Sequence, residues 1–202
     1  MFTGIILKPG KFLSLEHKKE ITLAVETGEL PRVKIGDSVA VNGACLTIIG
    51  FENGGQSCRF NLSRETLKLS NLGDLPRGSV VNLELPLTLN DFLGGHLVSG
   101  HLDGVVRLKT KQTKGDSTTF SFIFQNRDWV KFLIHKGSVT LNGVSLTLSE
   151  VRQSFFSVEV IPHTLTTTNL KYLKIGERVN LELDLIGKYL YNLRWSGENT
   201  YR

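Results

Sequence analysis

The chain repeats itself, and the repeat limits what it can fold into. The stretch Ser38-Val39-Ala40-Val41-Asn42-Gly43-Ala44-Cys45-Leu46-Thr47 returns one hundred positions on as Ser138-Val139-Thr140-Leu141-Asn142-Gly143-Val144-Ser145-Leu146-Thr147, with six of ten positions identical. Thr66-Leu67 answers to Thr164-Leu165 and Asn71-Leu72 to Asn169-Leu170, and Val81-Asn82-Leu83-Glu84-Leu85 recurs unchanged from Val179 to Leu183. By then the offset is 98, and the two missing residues fall in the loop around Asn53-Gly54-Gly55, where length changes cost little. At the front, Gly4-Ile5-Ile6 reads as the counterpart of Gly104-Val105-Val106. Ordered matches at nearly constant spacing mean internal duplication. Each copy is roughly 90 to 100 residues, the size of a small domain, and two units are too few for a solenoid, so each must close its own core. The expected domains are residues 1–90, residues 91–184, and a C-terminal helix with its tail over residues 185–202.

Inside each copy the signals are those of strands. Short β-branched runs alternate with Gly and Asn turns at close spacing, the pattern of a sandwich or barrel. Short helical turns are expected around residues 66–72, 129–134 and 164–170. Asn-Gly between alternating runs marks a two-residue type I′ hairpin, and it occurs twice, at Asn42-Gly43 and Asn142-Gly143. That loop length sets Val41 opposite Ala44, Ala40 opposite Cys45, Val39 opposite Leu46 and Ser38 opposite Thr47. Paired residues share a face. One face of the first hairpin is then the apolar set Val39, Val41, Ala44, Leu46 and Ile48, and the other carries Ser38, Ala40, Cys45 and Thr47. The second hairpin divides the same way, with Val139, Leu141, Val144, Leu146 and Leu148 against Ser138, Thr140, Ser145 and Thr147. A plain solvated face would more often hold Lys and Glu. Small neutral donors suit a polar heterocycle or a polyol, and they equally suit the Ser and Thr preference of an ordinary β-surface.

The last stretch differs. Leu185, Tyr189 and Leu193, with Ile186 and Leu190 alongside, make the apolar stripe of an amphipathic helix. So short a helix must pack on something. The stripe fits either its own domain or an oligomer contact.

Composition excludes several classes. The net charge is +5, but the basic residues are scattered and do not alternate with aromatics, unlike a nucleic-acid footprint. No apolar h-region follows Met1, and no apolar run is long enough to span a bilayer. Cys45 and Cys58 are too few for a disulfide framework, so free thiols in a reducing cytoplasm are expected. Cys58 reads as structural. Cys45 stands where the second copy has Ser145, and it is either a half-buried structural thiol or a reactive one. His96 and His101, in Gly94-Gly95-His96-Leu97-Val98-Ser99-Gly100-His101-Leu102-Asp103-Gly104, are five apart and would fall on opposite faces of a strand. No Cys-x-x-Cys or His-Glu-x-x-His completes a ligand set, so no metal site is expected. His101 and Asp103 would share a strand face, which suggests a carboxylate-oriented base.

Several of these segments together resemble riboflavin synthase. They are Met1-Phe2-Thr3-Gly4-Ile5-Ile6, Asn42-Gly43-Ala44-Cys45-Leu46-Thr47, Glu65-Thr66-Leu67 with Asn71-Leu72, residues 94–101, Asn142-Gly143-Val144-Ser145-Leu146-Thr147, Ile161-Pro162-His163-Thr164-Leu165 and Val179-Asn180-Leu181-Glu182. They run in the family's order over nearly the whole chain. The resemblance implies an all-β fold of two tandem six-stranded antiparallel Greek-key barrels with a C-terminal helix. It implies a homotrimer with its helices in the contact, and an active site between the N-terminal barrel of one subunit and the C-terminal barrel of a neighbour. Each barrel would bind one 6,7-dimethyl-8-ribityllumazine. A four-carbon unit would pass between the two, giving riboflavin and 5-amino-6-ribitylaminouracil, the last step of riboflavin biosynthesis, with no cofactor or metal. It also makes lumazine synthase a candidate partner.

Site residues carry over by position. Gly4, Ile5 and Ile6 are expected in the first pocket with Cys45, Leu46 and Thr47 and with Asn61, Leu62, Ser63, Arg64, Glu65 and Thr66. Gly100, His101 and Leu102 are expected in the second with Ser145, Leu146 and Thr147 and with Ile161, Pro162, His163, Thr164, Leu165 and Thr166, while Lys136 would reach in from another subunit. The substrate's 7-methyl group is acidic because its carbanion delocalises into the ring. His101 fits the base that takes that proton, and Cys45 and Ser38 fit the nucleophile or its polarising partner. Thr147, Asp184 and Phe2 stand at positions linked to the site or its support. Two departures stand out: Asn142-Gly143 replaces a common Asp-Gly, and His163 stands where Glu is frequent. If that aspartate serves catalysis, this chain lacks it. Non-catalytic relatives that bind a lumazine or flavin as optical antennae are the competing class. They lose the second Ser-Leu-Thr and the histidine of the Gly-Gly-His stretch, which are present here as Ser145, Thr147, His96 and His101. A nucleic-acid-binding barrel is a third class, and it would need surface aromatic clusters.

Overall fold

The computed structural model describes residues 1–17, 20–31 and 33–199, with the backbone alone for 194–199. Among the described residues the first copy is a closed antiparallel barrel of β1 (Lys8–His17), β2 (Ile21–Glu26), β3 (Ser38–Val41), β4 (Ala44–Glu52), β5 (Ser57–Leu62) and β6 (Val80–Glu84). Around the barrel they run β1-β2-β5-β4-β3-β6, and β6 closes on β1. The second copy repeats this order with β7 (Gly104–Lys114), β8 (Ser117–Ile123), β9 (Ser138–Leu141), β10 (Val144–Val151), β11 (Phe155–Val160) and β12 (Arg178–Leu183). Helix α1 (Arg64–Leu69) follows β5, α2 (Pro162–Thr167) follows β11, and α3 (Leu185–Asn199) ends the chain. None of these helices is long and apolar enough to cross a membrane.

Both hairpins have the register expected from a two-residue turn, Val41 against Ala44 and Leu141 against Val144. Asn42 and Gly43 take φ of 47° and 80°, and Asn142 and Gly143 take 46° and 81°, as a type I′ turn requires. The expected apolar faces line the two cores. Val39, Val41 and Ile48 are fully buried in the first, and Val139, Leu141 and Leu148 in the second. Among the described residues four strand pairs shift register once, at Phe12/Ser14, Ile48/Gly50, Leu108/Thr110 and Leu148/Glu150, and such bulges bend a sheet enough to close it.

The helical turns are local and capped. Ser63 Oγ accepts the Thr66 N–H at 2.9 Å to start α1, while Pro162 opens α2. Helix α3 packs Tyr191 edge-on against Phe132, with ring centroids 5.2 Å apart, and Lys188 pairs with Asp103 at 2.6 Å. Its stripe stays exposed: Ile186, Tyr189, Leu190 and Leu193 are all more than half accessible.

The two barrels meet across a pseudo-twofold axis made by the repeated asparagines. Asn42, Asn71, Asn82, Asn142, Asn169 and Asn180 are all buried. Asn71 N–H donates to Asn180 Oδ1 at 2.6 Å, and its mate Asn169 N–H donates to Asn82 Oδ1 at 2.7 Å. Asn82 Nδ2 donates to the Asn142 carbonyl and Asn180 Nδ2 to the Asn42 carbonyl, each at 2.8 Å. Among the described residues no buried side-chain N or O lacks a partner. Stranding one such group costs about 1–3 kcal/mol, so this network specifies one docking of the barrels. At the axis the two turns touch backbone to backbone. A Cβ on Gly43 would stand 2.7 Å from Gly143 N.

A composite pocket and a histidine–serine cluster at the barrel junction

The segments that precede the barrels cross over. Gly4, ahead of β1, accepts the Ser145 N–H of the second barrel at 2.8 Å. Gly100, ahead of β7, accepts the Cys45 N–H of the first barrel at 2.9 Å. Ile6 packs on the second barrel's core and Leu102 on the first's. The contacts are close: a Cβ on Gly100 would lie 2.5 Å from Cys45 Cβ, and one on Gly4 would lie 2.6 Å from Ser145 Cβ.

Two sequence expectations change as a result. Gly4, Ile5 and Ile6 belong with Ser145 rather than with Cys45, and Gly100, His101 and Leu102 belong with Cys45 rather than with Ser145. The counterpart of Gly4 is Gly100, not Gly104, because Lys8 and Gly104 occupy the same position against Leu83 and Leu181. The apolar likeness of Ile5-Ile6 to Val105-Val106 misled that alignment. The true match rests on the hydroxyl and glycine of Thr3-Gly4 and Ser99-Gly100, which both meet a buried glutamate. Glu84 accepts Thr3 N–H at 2.6 Å, Thr3 Oγ1 at 2.7 Å and Gly4 N–H at 3.1 Å. Glu182 accepts Ser99 N–H at 2.7 Å, Ser99 Oγ at 2.6 Å and Gly100 N–H at 3.0 Å. Burial pushes both carboxyls above the usual carboxylate range, against these hydrogen bonds, which pull the other way.

The Cys45 pocket is a cavity of about 340 Å³ walled by Ala44, Cys45, Ser63, Glu65, Thr66, Leu69, Gly100, His101 and Leu102. Cys45 is half-buried on the floor, and behind it Phe2, Ala40 and Val98 form a small apolar cluster. Phe2 is fully buried there and supports the site from beneath. Ser38 and Thr47 form the next pair along the same sheet face, beyond the cavity wall, and Thr47 pairs in turn with Asn61. Leu62 points into the core, while Arg64 is exposed at the start of α1. Residues 94–103 are not a strand. Asp103 accepts the Leu183 N–H at 2.8 Å and pairs with Lys188, so it does not orient His101.

The Ser145 side is built around a residue that the sequence reading left out of the site. His96 Nδ1 lies 2.7 Å from Ser145 Oγ, and Nε2 lies 3.2 Å from Thr140 Oγ1. Burial lowers the imidazole below its ordinary value of 6.5, while the Asp184 carboxylate pulls it up. Asp184 itself caps α3 by accepting the Ile186 N–H at 2.9 Å. The contact distances fit either tautomer; in the one with the proton on Nε2, neutral His96 would donate to Thr140 and accept from Ser145. That is the arrangement in which a hydroxyl passes a proton to a base. Helix α2 stands in this barrel as α1 does in the first, so Ile161, Pro162, His163, Thr164 and Thr166 occupy the positions of Ser63 to Lys68. Leu165 and Leu146 turn inward to the core, and Thr147 is exposed beside Ser138. Lys136 is exposed on the turn before β9, at φ 66°. Asn142 is buried in the junction, where its Oδ1 accepts from Asn180 N–H and Asn71 Nδ2, so this position supports docking and does not line the Cys45 cavity.

Two tandem barrels, one with a polar cavity at Cys45 and the other with a His96–Ser145–Thr140 cluster at the equivalent hairpin, each covered by the other barrel's leading segment, define a protein built to bind a small polar molecule. A family model for the lumazine binding domain matches twice, over residues 3–86 and 99–184. The riboflavin synthase of Actinobacillus pleuropneumoniae is 40% identical over 94% of this chain and 88% of its own length. That of Bacillus subtilis (strain 168) is 37% identical, covering 98% and 93%. The crystal structure of LumP complexed with riboflavin superposes with a TM-score of 0.80 at 22% identity, over 91% of this chain and 99% of LumP, a likeness of fold. The chain belongs to the riboflavin synthase family and is an enzyme of that type.

Proposed function

We propose that the chain converts two molecules of 6,7-dimethyl-8-ribityllumazine into riboflavin and 5-amino-6-ribitylaminouracil. The observation that carries this reading is the pair of equivalent hairpin positions that differ in chemistry, a thiol at Cys45 facing a cavity and a histidine-backed hydroxyl at Ser145. A reaction between two identical molecules needs two like sites and unlike treatment within them. In our reading the 7-methyl proton leaves through Ser145 Oγ to neutral His96, and the partner lumazine lies over Cys45, with His101 beside it. Holding the two rings together supplies much of the barrier reduction. The α1 and α2 termini, with Ser63, Thr66, Thr164 and Thr166, would hold the ribityl chains. The domain limits proposed are residues 1–90, 91–184 and 185–202, of which 200–202 lie outside the described residues. With both thiols free, a reducing cytoplasm is the proposed compartment.

The test is incubation of the pure protein with the lumazine alone. One riboflavin should form per two lumazines consumed, several-fold more slowly in Cys45→Ser and His101→Gln. LumP, the structural neighbour, is solved with riboflavin and with 6,7-dimethyl-8-(1'-D-ribityl)lumazine, so a binding protein is the second reading. Tight lumazine binding with no riboflavin formed would select it.

The exposed stripe of α3 supports a homotrimer, with Lys136 completing a neighbour's site. Sedimentation should give a mass about three times the 22.5 kDa chain. Leu190→Glu with Leu193→Glu should yield folded monomers that have lost turnover. A monomeric parent with full activity would defeat this assembly.

A further inference from the structure

We infer that Glu84 and Glu182 are positioning residues that act across the junction, each fixing the pocket wall of the opposite barrel. Glu84 lies on β6 of the first barrel and holds Thr3 and Gly4, yet Gly4 lies on Ser145 of the second barrel. Glu182 lies on β12 of the second barrel and holds Ser99 and Gly100, yet Gly100 covers Cys45 of the first. Both side chains are buried, and among the described residues the hydrogen-bond donors to their carboxylates all come from the crossed segment. The geometry is the same twice over: one oxygen takes a backbone N–H and a hydroxyl of the first residue, and the carboxylate then reaches the N–H of the glycine. The freed hydroxyl lone pair also accepts from two residues on, Thr3 Oγ1 from Ile5 N–H and Ser99 Oγ from His101 N–H, each at 3.1 Å. Glu182 thereby sets the backbone that carries His101 into the Cys45 pocket.

The inference rests on the two-site reading only for its ligand arm. Cys58 is 1% exposed and Cys45 is half-buried, so a small maleimide on the native full chain reports on Cys45. Loss of a charge-assisted anchor should open the Gly100 wall and speed Cys45 labelling about tenfold in Glu182→Gln. Glu84→Gln, whose segment lies on Ser145 and meets the Cys45 side only at second hand through Phe2, should label much closer to the parent rate than Glu182→Gln does. Should either variant fail to fold, Ser99→Ala and Thr3→Val remove one bond from each anchor and should show the same contrast more weakly. Riboflavin is the probe for the second arm, and the concentration that half-protects Cys45 should rise more in Glu182→Gln than in Glu84→Gln. Equal acceleration in both variants, or acceleration in Glu84→Gln alone, would overturn the crossed assignment. A parent not protected by riboflavin would instead count against the proposed function, with the labelling contrast still deciding this inference.

Discussion

With His96 replaced by glutamine, turnover is expected to fall about a hundredfold or more while lumazine still binds, the range for loss of a general base. Glutamine keeps a polar group between Ser145 and Thr140 but offers no basic nitrogen, so the pocket's shape is retained and its proton acceptor is lost. A readout in pH separates this from simple mispacking. Burial lowers the folded imidazole below 6.5. As pH falls through that lowered value His96 takes a proton, and Nδ1 can no longer accept from Ser145. Activity should therefore hold through neutral pH, decline on an acid limb below 6.5, and lose that limb in the residual activity of His96→Gln. An unchanged acid limb in the variant would remove His96 from the proton path.

The second large effect is structural. Gly43→Ala should cost about 2–5 kcal/mol of stability. About 1–2 of this comes from an L-residue in the left-handed region and the rest from overpacking against Gly143. The control is Gly54→Ala, at φ 65° with open space around it, which should show the conformational part alone. Urea midpoints measure both. Gly43→Ala should also split the unfolding transition, because the barrels would stay closed while their docking fails. Equal midpoints for the two variants would mean that the turn-on-turn contact contributes nothing.

Much of the fold was legible because hairpin chemistry is local. Asn-Gly fixed the register, the register fixed the faces, and the faces divided core from pocket floor, down to Cys45 opposite Ala40. The junction was harder to see, although its residues were in plain view. Asn42, Asn71 and Asn82 each recur at matched positions as Asn142, Asn169 and Asn180, and Glu84 recurs as Glu182. Polar residues kept in both copies inside apolar strands must be paired with something, and the something is the other copy. The crossing of Gly4 and Gly100 carries no periodicity, and only the buried glutamates point to it. His96 stands out in the sequence as part of Gly-Gly-His, but its place beside Ser145 and Thr140 joins segments 49 and 44 residues apart, which no local pattern reports.

The reciprocal exchange of leading segments also bears on history. A lone ancestral barrel with these asparagines and this glutamate could have paired with its own duplicate through the same contacts, as a symmetric dimer with two identical pockets. Covalent fusion made the halves separately mutable. One pocket could then become Cys45 with Glu65, and the other Ser145 with His163 and a histidine from the linker. Identical pockets treat identical ligands identically. Broken symmetry is what lets one molecule of a pair become the donor and its twin the acceptor.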